Sequence, residues 1–168
     1  MIEDTQPQST DAEGRNRADR VRLLYTFSIW GKYRLIIISV FLALIFRGQV
    51  TDEALIIFVA LNVGVVIIRD VLYRCFPRDI TDNDIMMRWG MMFAASSLLS
   101  GMIWGFAGLF FFPMGGVGYE MVLSIAIIGL SALALAPNSA FLPAFFAFAT
   151  PAMAGLIMAT RQSSATVF

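Results

Sequence analysis

The chain has 168 residues, of which 58% are apolar and 14% charged, against about 45–50% and about 25% in soluble domains. It has no histidine and a single cysteine, Cys75, which excludes the commonest haem and metal ligand, an intrachain disulfide and a multi-cysteine metal site. With 12 basic and 12 acidic residues, no net charge attracts nucleic acid. The composition predicts an integral membrane protein that contacts the lipid bilayer and holds no cofactor.

The N-terminal region is predicted to lie outside the membrane. Residues 1–20 are polar and carry both charge signs, which predicts a disordered tail, and no cleavage site follows a short apolar core as in a signal peptide. Residues 21–30 mix aromatic and basic side chains, a composition that suits the headgroup layer. They form either an interfacial helix or the lower turns of the first membrane helix.

Within residues 21–160, apolar stretches predict a polytopic all-α bundle of five transmembrane helices, because each approaches the roughly 20 residues of one crossing. The uncharged part of the first stretch runs only from Leu35 to Phe46, so Lys32 and Arg34 must snorkel to the interface. Thr81–Asp84 has capping-box spacing before the third stretch, and Pro137-Asn138 is predicted to form a tight turn. The predicted crossings are about 31–46, 53–72, 87–112, 119–136 and 139–160.

The orientation follows from Lys and Arg, which concentrate in cytoplasmic loops. These residues crowd the N-terminal flank and the second loop and are nearly absent from the first and third loops, which predicts a cytoplasmic N-terminus and a multi-pass protein of the bacterial inner membrane. Residues 161–168 then form a short outer tail or begin a sixth helix. We expect the chain to be the front part of a six-helix protein; the alternative is a complete five-helix protein. The cytoplasmic residues are Arg15, Arg17, Arg20, Arg22, Lys32, Arg34, Arg69, Arg74, Arg78 and Arg88.

Small residues recur every four positions on the third predicted helix. Ser97, Gly101 and Gly105, with Gly108 further along, give a face on which another backbone approaches closely. The pattern predicts a packing seam, either within one subunit or between the two subunits of a homodimer.

Other polar groups and prolines suggest contacts rather than catalysis. Asn62 and Trp104 are expected to bond across a helix interface or to contact a ligand, and Pro143 and Pro151 to kink the fifth helix, either as static bends or as a movable element. Arg69 is expected to reach the lipid phosphates, which leaves no ionisable group at mid-membrane and argues against ion-coupled transport. The acidic stretch 79–84 lacks the glycine and terminal glutamate of a calcium loop. We expect no metal site and, without a nucleophile–base pair, no enzymatic activity.

The segment Ser100–Pro113, SGMIWGFAGLFFFP, resembles the N-terminal multi-helix membrane regions of bacterial GGDEF diguanylate cyclases and sensor histidine kinases. Arg69 near the end of the second helix and the prolines of the fifth are similar to those regions too, and the resemblance covers residues 23–160. It implies a sixth helix and a cytoplasmic output domain beyond it, so that this chain is a sensory or anchoring region in signal transduction. The alternatives are a small transporter or a structural subunit of a membrane complex.

Overall fold

Helices make up almost all of the described chain. The computed structural model describes residues 33–76, 83–114, 116–138 and 141–165. Within these ranges there is no strand, so the all-helical fold class is confirmed. The helices are α1 (Tyr33–Ile45), α2 (Asp52–Cys75), α3 (Asn83–Phe111), α4 (Val117–Asn138) and α5 (Leu142–Ala165), and a 3-10 turn, Phe112–Met114, follows α3.

Four of the helices, α2 to α5, are long and apolar enough to cross a membrane, with mean hydropathies between 1.6 and 2.4 over their spans. Helix α1 is shorter than these four, and at 1.5 Å per residue it is about 20 Å long, less than the roughly 30 Å of a hydrocarbon core. The predicted first crossing therefore stays a prediction. The tail at 1–20, the aromatic segment at 21–30 and Thr81 of the capping box lie outside the described residues.

Helix α3 is the centre of the bundle, with 61% of its span buried against 22–33% for the other three spans. It packs most extensively on α5, and the two helices run parallel, since Gly101 meets Phe148 while Gly108 meets Gly155. Helix α2 runs antiparallel to α3, since Asn62 meets Trp104 while Arg69 meets Ser96. Aromatic rings close the end that carries the α1–α2 loop: Phe46 lies 5.8 Å from the ring of Phe111 and 5.4 Å from that of Tyr119.

The α1–α2 loop is a tight turn with one residue in a backbone conformation that favours glycine. The N–H groups of Gln49 and Val50 donate to the carbonyl oxygen of Phe46, and Gly48 adopts a φ of 90°, which favours glycine because a Cβ is strained there. Phe46 and Val50 are buried on either side of the turn, so the loop fixes the ends of α1 and α2 against the core.

Several helix ends differ from the predicted ones. Helix α3 begins at Asn83, four residues earlier than predicted, because polar residues such as Asp84 suit the first turn of a helix. Helix α4 continues through Pro137 to Asn138, so the predicted turn there is wrong and the chain reverses only after Asn138.

The C-terminal part of α5 also corrects the sequence interpretation. The helix continues to Ala165, so residues 161–165 form neither a separate tail nor the start of a sixth helix. The Ser163 hydroxyl donates to Oε1 of Glu120 at 3.0 Å, which ties this last turn to the beginning of α4.

Candidate functional site

The small-residue face of α3 is in contact with the backbone of α5. A Cβ at Gly101 would overlap the carbonyl oxygen of Phe148, and one at Gly105 would overlap that of Pro151. From the other side, a Cβ at Gly155 would overlap the backbone of Gly105. Ser97, Gly101, Gly105 and Gly108 are all buried, so a second subunit reaches the glycines only if α5 moves away. A homodimer through this face stays a prediction.

The two prolines of α5 occupy different positions. Pro151 lies inside the helix, and its Cγ would be 2.8 Å from a Cβ at Gly101, so the ring fills the space that this glycine leaves. Pro143 is exposed in the first turn, where an N–H has no intrahelical partner to lose. The prediction that Pro143 kinks the helix interior is therefore wrong.

Asn62 and Trp104, singled out separately in the sequence, meet between α2 and α3. The indole Nε1–H of Trp104 donates to Oδ1 of Asn62 at 3.0 Å, and the Asn62 amide donates to the Phe58 carbonyl at 2.9 Å. Both side chains are fully buried, and the ring of Phe58 packs edge-on against the indole at 5.2 Å. This pair joins the two helices and leaves neither the indole N–H nor the amide oxygen free for a ligand.

Arg69 turns into the bundle instead of reaching lipid phosphates. Its Nε donates to Ser96 Oγ at 3.4 Å and its Nη2 to Ser97 Oγ at 3.2 Å, and Cζ lies 5.3 Å from the ring centroid of Phe93, within the range of a cation–π contact. Ser96 follows Arg88 by eight residues on α3, about 12 Å along the axis, and Trp89–Tyr119 carries no charge. The guanidinium therefore lies inside the apolar layer.

The depth of Arg69 corrects the expectation that this side chain reaches the lipid phosphates, and it bears on the expectation that no ionisable group lies at mid-membrane. The position of Arg69 near the end of α2 favours a side chain that reaches the headgroups. Side chains on a helix lean toward its N-terminus, and for an arginine six residues before the end of α2 that direction is inward. The direction in which helical side chains point is therefore the feature from which the inward position of the Arg69 guanidinium could have been predicted.

A third serine lies on the same side of α3 without a hydrogen bond. Ser100 is fully buried, and its hydroxyl oxygen has no partner in the described part of the chain. At 3.6 residues per turn, Ser100 projects from α3 at an angle between those of Ser96 and Ser97, one turn further along. We call Asn62, Arg69, Ser96, Ser97, Ser100 and Trp104 the α2–α3 polar seam.

The chemistry of the polar seam is that of hydrogen-bond donation. It contains no carboxylate, and the neighbouring acid Asp70 accepts from Nε of Arg74 at 2.8 Å in an exposed pair. No group of three or more Asp, Glu and Cys side chains suited to a metal occurs in the described ranges. A guanidinium with nearby hydroxyls can hold an anion or bind helices together, but it offers neither a base nor a nucleophile in reach of one.

An apolar groove with a volume of about 360 Å³ lies between the halves of the same two helices that adjoin the α1–α2 loop. Its walls come from Ala54, Phe58 and Leu61 of α2 and from Ile103 and Phe110 of α3, among others, and Thr51 is the polar residue in its lining. A ligand site needs a few placed polar groups to fix orientation. The groove offers little of this, so the polar seam is the better candidate site.

Comparison of the chain with protein-family models, with curated proteins and with solved structures finds no match. The functional interpretation therefore rests on the geometry of the helices and on the polar seam.

Proposed function

We propose that this chain is a membrane-embedded sensory or anchoring region of a bacterial signal-transduction protein. The observation that carries the proposal is Arg69, a positive charge bonded to neutral hydroxyls inside the apolar layer. Burying a charge in a membrane is expensive, so such residues usually serve a function. In this proposal, the interface that holds Arg69 is the part that responds to a signal.

The two interfaces of α3 differ in a way that suits a sensor. The α3–α5 interface is a close backbone contact through Gly101, Gly105 and Gly155, which favours one fixed arrangement. The α2–α3 interface adds hydrogen bonds from Asn62, Arg69 and Trp104 to its apolar contacts, and a ligand can replace the bonds of Arg69. A shift of α2 against a fixed α3–α5 pair is the two-state element of this proposal, of the kind that switching proteins use.

The distribution of charge supports a cytoplasmic N-terminus and an inner-membrane location. Three exposed arginines, Arg34, Arg74 and Arg88, cluster at one end of the bundle. At this end α1 begins, α2 ends and α3 begins. The opposite end carries the acids Asp52, Glu53 and Glu120 together with Arg47 and Arg161. Under the positive-inside rule, the arginine-rich end faces the cytoplasm.

The mass of the native protein tests this proposal. An antibody against residues 1–20, applied to membranes of the source cells, is expected to detect a species well above the 18.6 kDa of this chain, because a sensory region needs an output domain. A native species of 18.6 kDa would overturn the signalling proposal.

A transporter is the second candidate, and Arg69 is the observation that favours it. The expected lack of an ionisable group at mid-membrane argues against ion-coupled transport, and the guanidinium of Arg69 inside the apolar layer weakens that argument. Uptake of an anionic solute into vesicles that contain only this chain, and its loss in Arg69→Met, would favour transport over sensing. We propose no catalytic role for the chain.

A further inference from the structure

The inner part of the polar seam presents donors without acceptors. Arg69 uses Nε and one N–H of Nη2 on the two serines, and its other N–H groups have no partner in the described chain. Ser97 accepts from Arg69, and its own hydroxyl hydrogen meets no acceptor in these ranges. The hydroxyl of Ser100 is without a partner as well. Ser96 differs, because it donates to the carbonyl of Phe93.

Such a set of donors fits an anion. A carboxylate or phosphate oxygen has several lone pairs and accepts from guanidinium and hydroxyl groups together. An uncharged ligand would leave the positive charge uncompensated, and a cation would be repelled. The described chain offers Arg69 no carboxylate of its own, since the ion pair on this part of α2 joins Asp70 to Arg74.

The surroundings of Arg69 indicate that the anion carries an apolar tail. Arg69 is half-buried, and the neighbouring outer surface of α2 is formed by the exposed apolar side chains Ile67, Ile68 and Val71. At this depth that surface meets acyl chains. A small water-soluble anion would have to cross them alone, whereas an amphiphile is already dissolved there.

We propose that Arg69, Ser97 and Ser100 bind the oxyanion head of an anionic membrane amphiphile, either the carboxylate of a long-chain fatty acid or the phosphate monoester of a phospholipid such as phosphatidic acid. The head first meets the half-buried guanidinium and then takes hydrogen bonds from the two serines. To do so, it replaces the bonds that Arg69 makes to Ser96 and Ser97 and loosens α2 from α3. Binding alone needs only this site, whereas a role of the ligand as signal rests on the proposed sensory function.

The test measures binding to the full chain in nanodiscs made of a zwitterionic lipid. Oleate with an isotope label at its carboxyl carbon and dioleoyl phosphatidic acid are added in separate titrations. Acetate and inorganic phosphate serve as their water-soluble counterparts. We expect saturable binding of one amphiphile and none of its counterpart at the same concentration. Saturation by oleate assigns the carboxylate, and saturation by phosphatidic acid assigns the phosphate.

Two variants and one matched control locate the site. Arg69→Met removes the charge, and Ser100→Ala removes a hydroxyl that has no bond in the fold. Each is expected to weaken binding, by about tenfold or more for Arg69→Met, as for a lost hydrogen bond to a charged group. Ser131→Ala is the control, because Ser131 is a buried serine on α4 that donates to the Ile127 carbonyl, and it should bind like the wild type.

The inference is overturned if the wild type binds neither amphiphile, or if Ser100→Ala and Arg69→Met both bind as the wild type does. Ser100→Ala breaks no hydrogen bond of the fold, so weaker binding by this variant does not result from misfolding. The assay is independent of the native mass: an 18.6 kDa native protein that binds oleate would refute the signalling proposal and leave the site intact.

Discussion

Asn62 and Trp104 lie 42 positions apart in the chain and share a buried hydrogen bond of 3.0 Å that joins α2 to α3. The donor has no alternative acceptor nearby in lipid, and the acceptor is held in place by the bond of its own amide to the Phe58 carbonyl. The contact therefore fixes the relative height of the two helices at a single point.

A double-mutant cycle on this pair measures its strength. Trp104→Phe removes the donor and keeps an aromatic ring against Phe58, and Asn62→Leu removes the acceptor at similar volume. We expect each single change to lower the free energy of unfolding, with a coupling of about 1 kcal/mol between them, in unfolding titrations in bicelles. Strictly additive effects would show that the bond contributes nothing to stability.

The glycine face of α3 gives a prediction about subunit stability. Gly105→Ala should lower the free energy of unfolding by about 1–3 kcal/mol, the usual effect of overpacking, because its methyl group overlaps the Pro151 carbonyl. Gly129→Ala on α4 is the control, since a Cβ there meets nothing within 4 Å, and alanine is the better helix former.

The same pair of variants separates internal packing from a dimer seam. If α5 fills the face, Gly105→Ala weakens the protein equally at all protein-to-lipid ratios. If a second subunit fills it, the variant loses intersubunit crosslinks and keeps its subunit stability, which would contradict the packing described above.

Arg69 is predicted to make the fold less stable than an apolar residue would. Arginine at the centre of a membrane helix costs about 2.5–3.5 kcal/mol on insertion scales, and interhelical hydrogen bonds in membranes return only about 0.6 kcal/mol each. Arg69→Met should therefore raise the free energy of unfolding by about 1 kcal/mol in bicelles of zwitterionic lipid that contain no fatty acid and no phosphatidic acid. A clear loss of stability would show that the serine bonds outweigh the cost of burying the charge.

Arg74→Met is the matched change five residues further along α2. Its guanidinium is exposed and pairs with Asp70 four residues earlier, an arrangement worth about 0.3–0.5 kcal/mol. Its stability should stay within about 0.5 kcal/mol of the wild type in the same titration.

The single cysteine provides a test of orientation. Cys75 is exposed at the end of α2, on the arginine-rich end of the bundle. A membrane-impermeant maleimide should label it in inverted vesicles and not in intact spheroplasts. In the double variant Cys75→Ala, Gly116→Cys the pattern should reverse, because Gly116 is exposed at the opposite end. Labelling of Cys75 from outside would place the N-terminus on the outer side.

The sequence predicts the positions of the membrane spans better than it predicts which helices pack against each other. Hydropathy locates α2 to α5, because long apolar stretches have few alternatives in a membrane. The helix ends are shifted at Asn83, Asn138 and Ala165, where polar residues continue a helix beyond its apolar part. Hydropathy also carries no information about which helices pair, so the contact of Gly101 and Gly105 with α5 had to come from the structure.

The sequence indicates single residues of the polar seam but not the site that they form together. Asn62 and Trp104 stood out as polar groups within apolar stretches, but nothing in the sequence links them. Arg69 is predicted to reach the headgroups, because its position near the end of α2 does not show that the guanidinium bonds to Ser96 and Ser97. Ser100 gave no signal of its own, since serines are common in membrane helices and its lack of a partner is a property of the packed structure.

The parallel pairing of α3 with α5 has a consequence for biogenesis. The ribosome completes α3 before it makes α4 and α5, so the glycine face of α3 first enters the bilayer without its partner. The contacts of α2 with α3 can form at that stage, while the central helix still lacks its contacts with Pro151 and Gly155, which are translated only with α5. Among the described spans, the most buried helix is thus completed by a helix that is inserted two crossings after it, and a ribosome that stalls after α4 leaves that helix open to wrong partners and to membrane proteases.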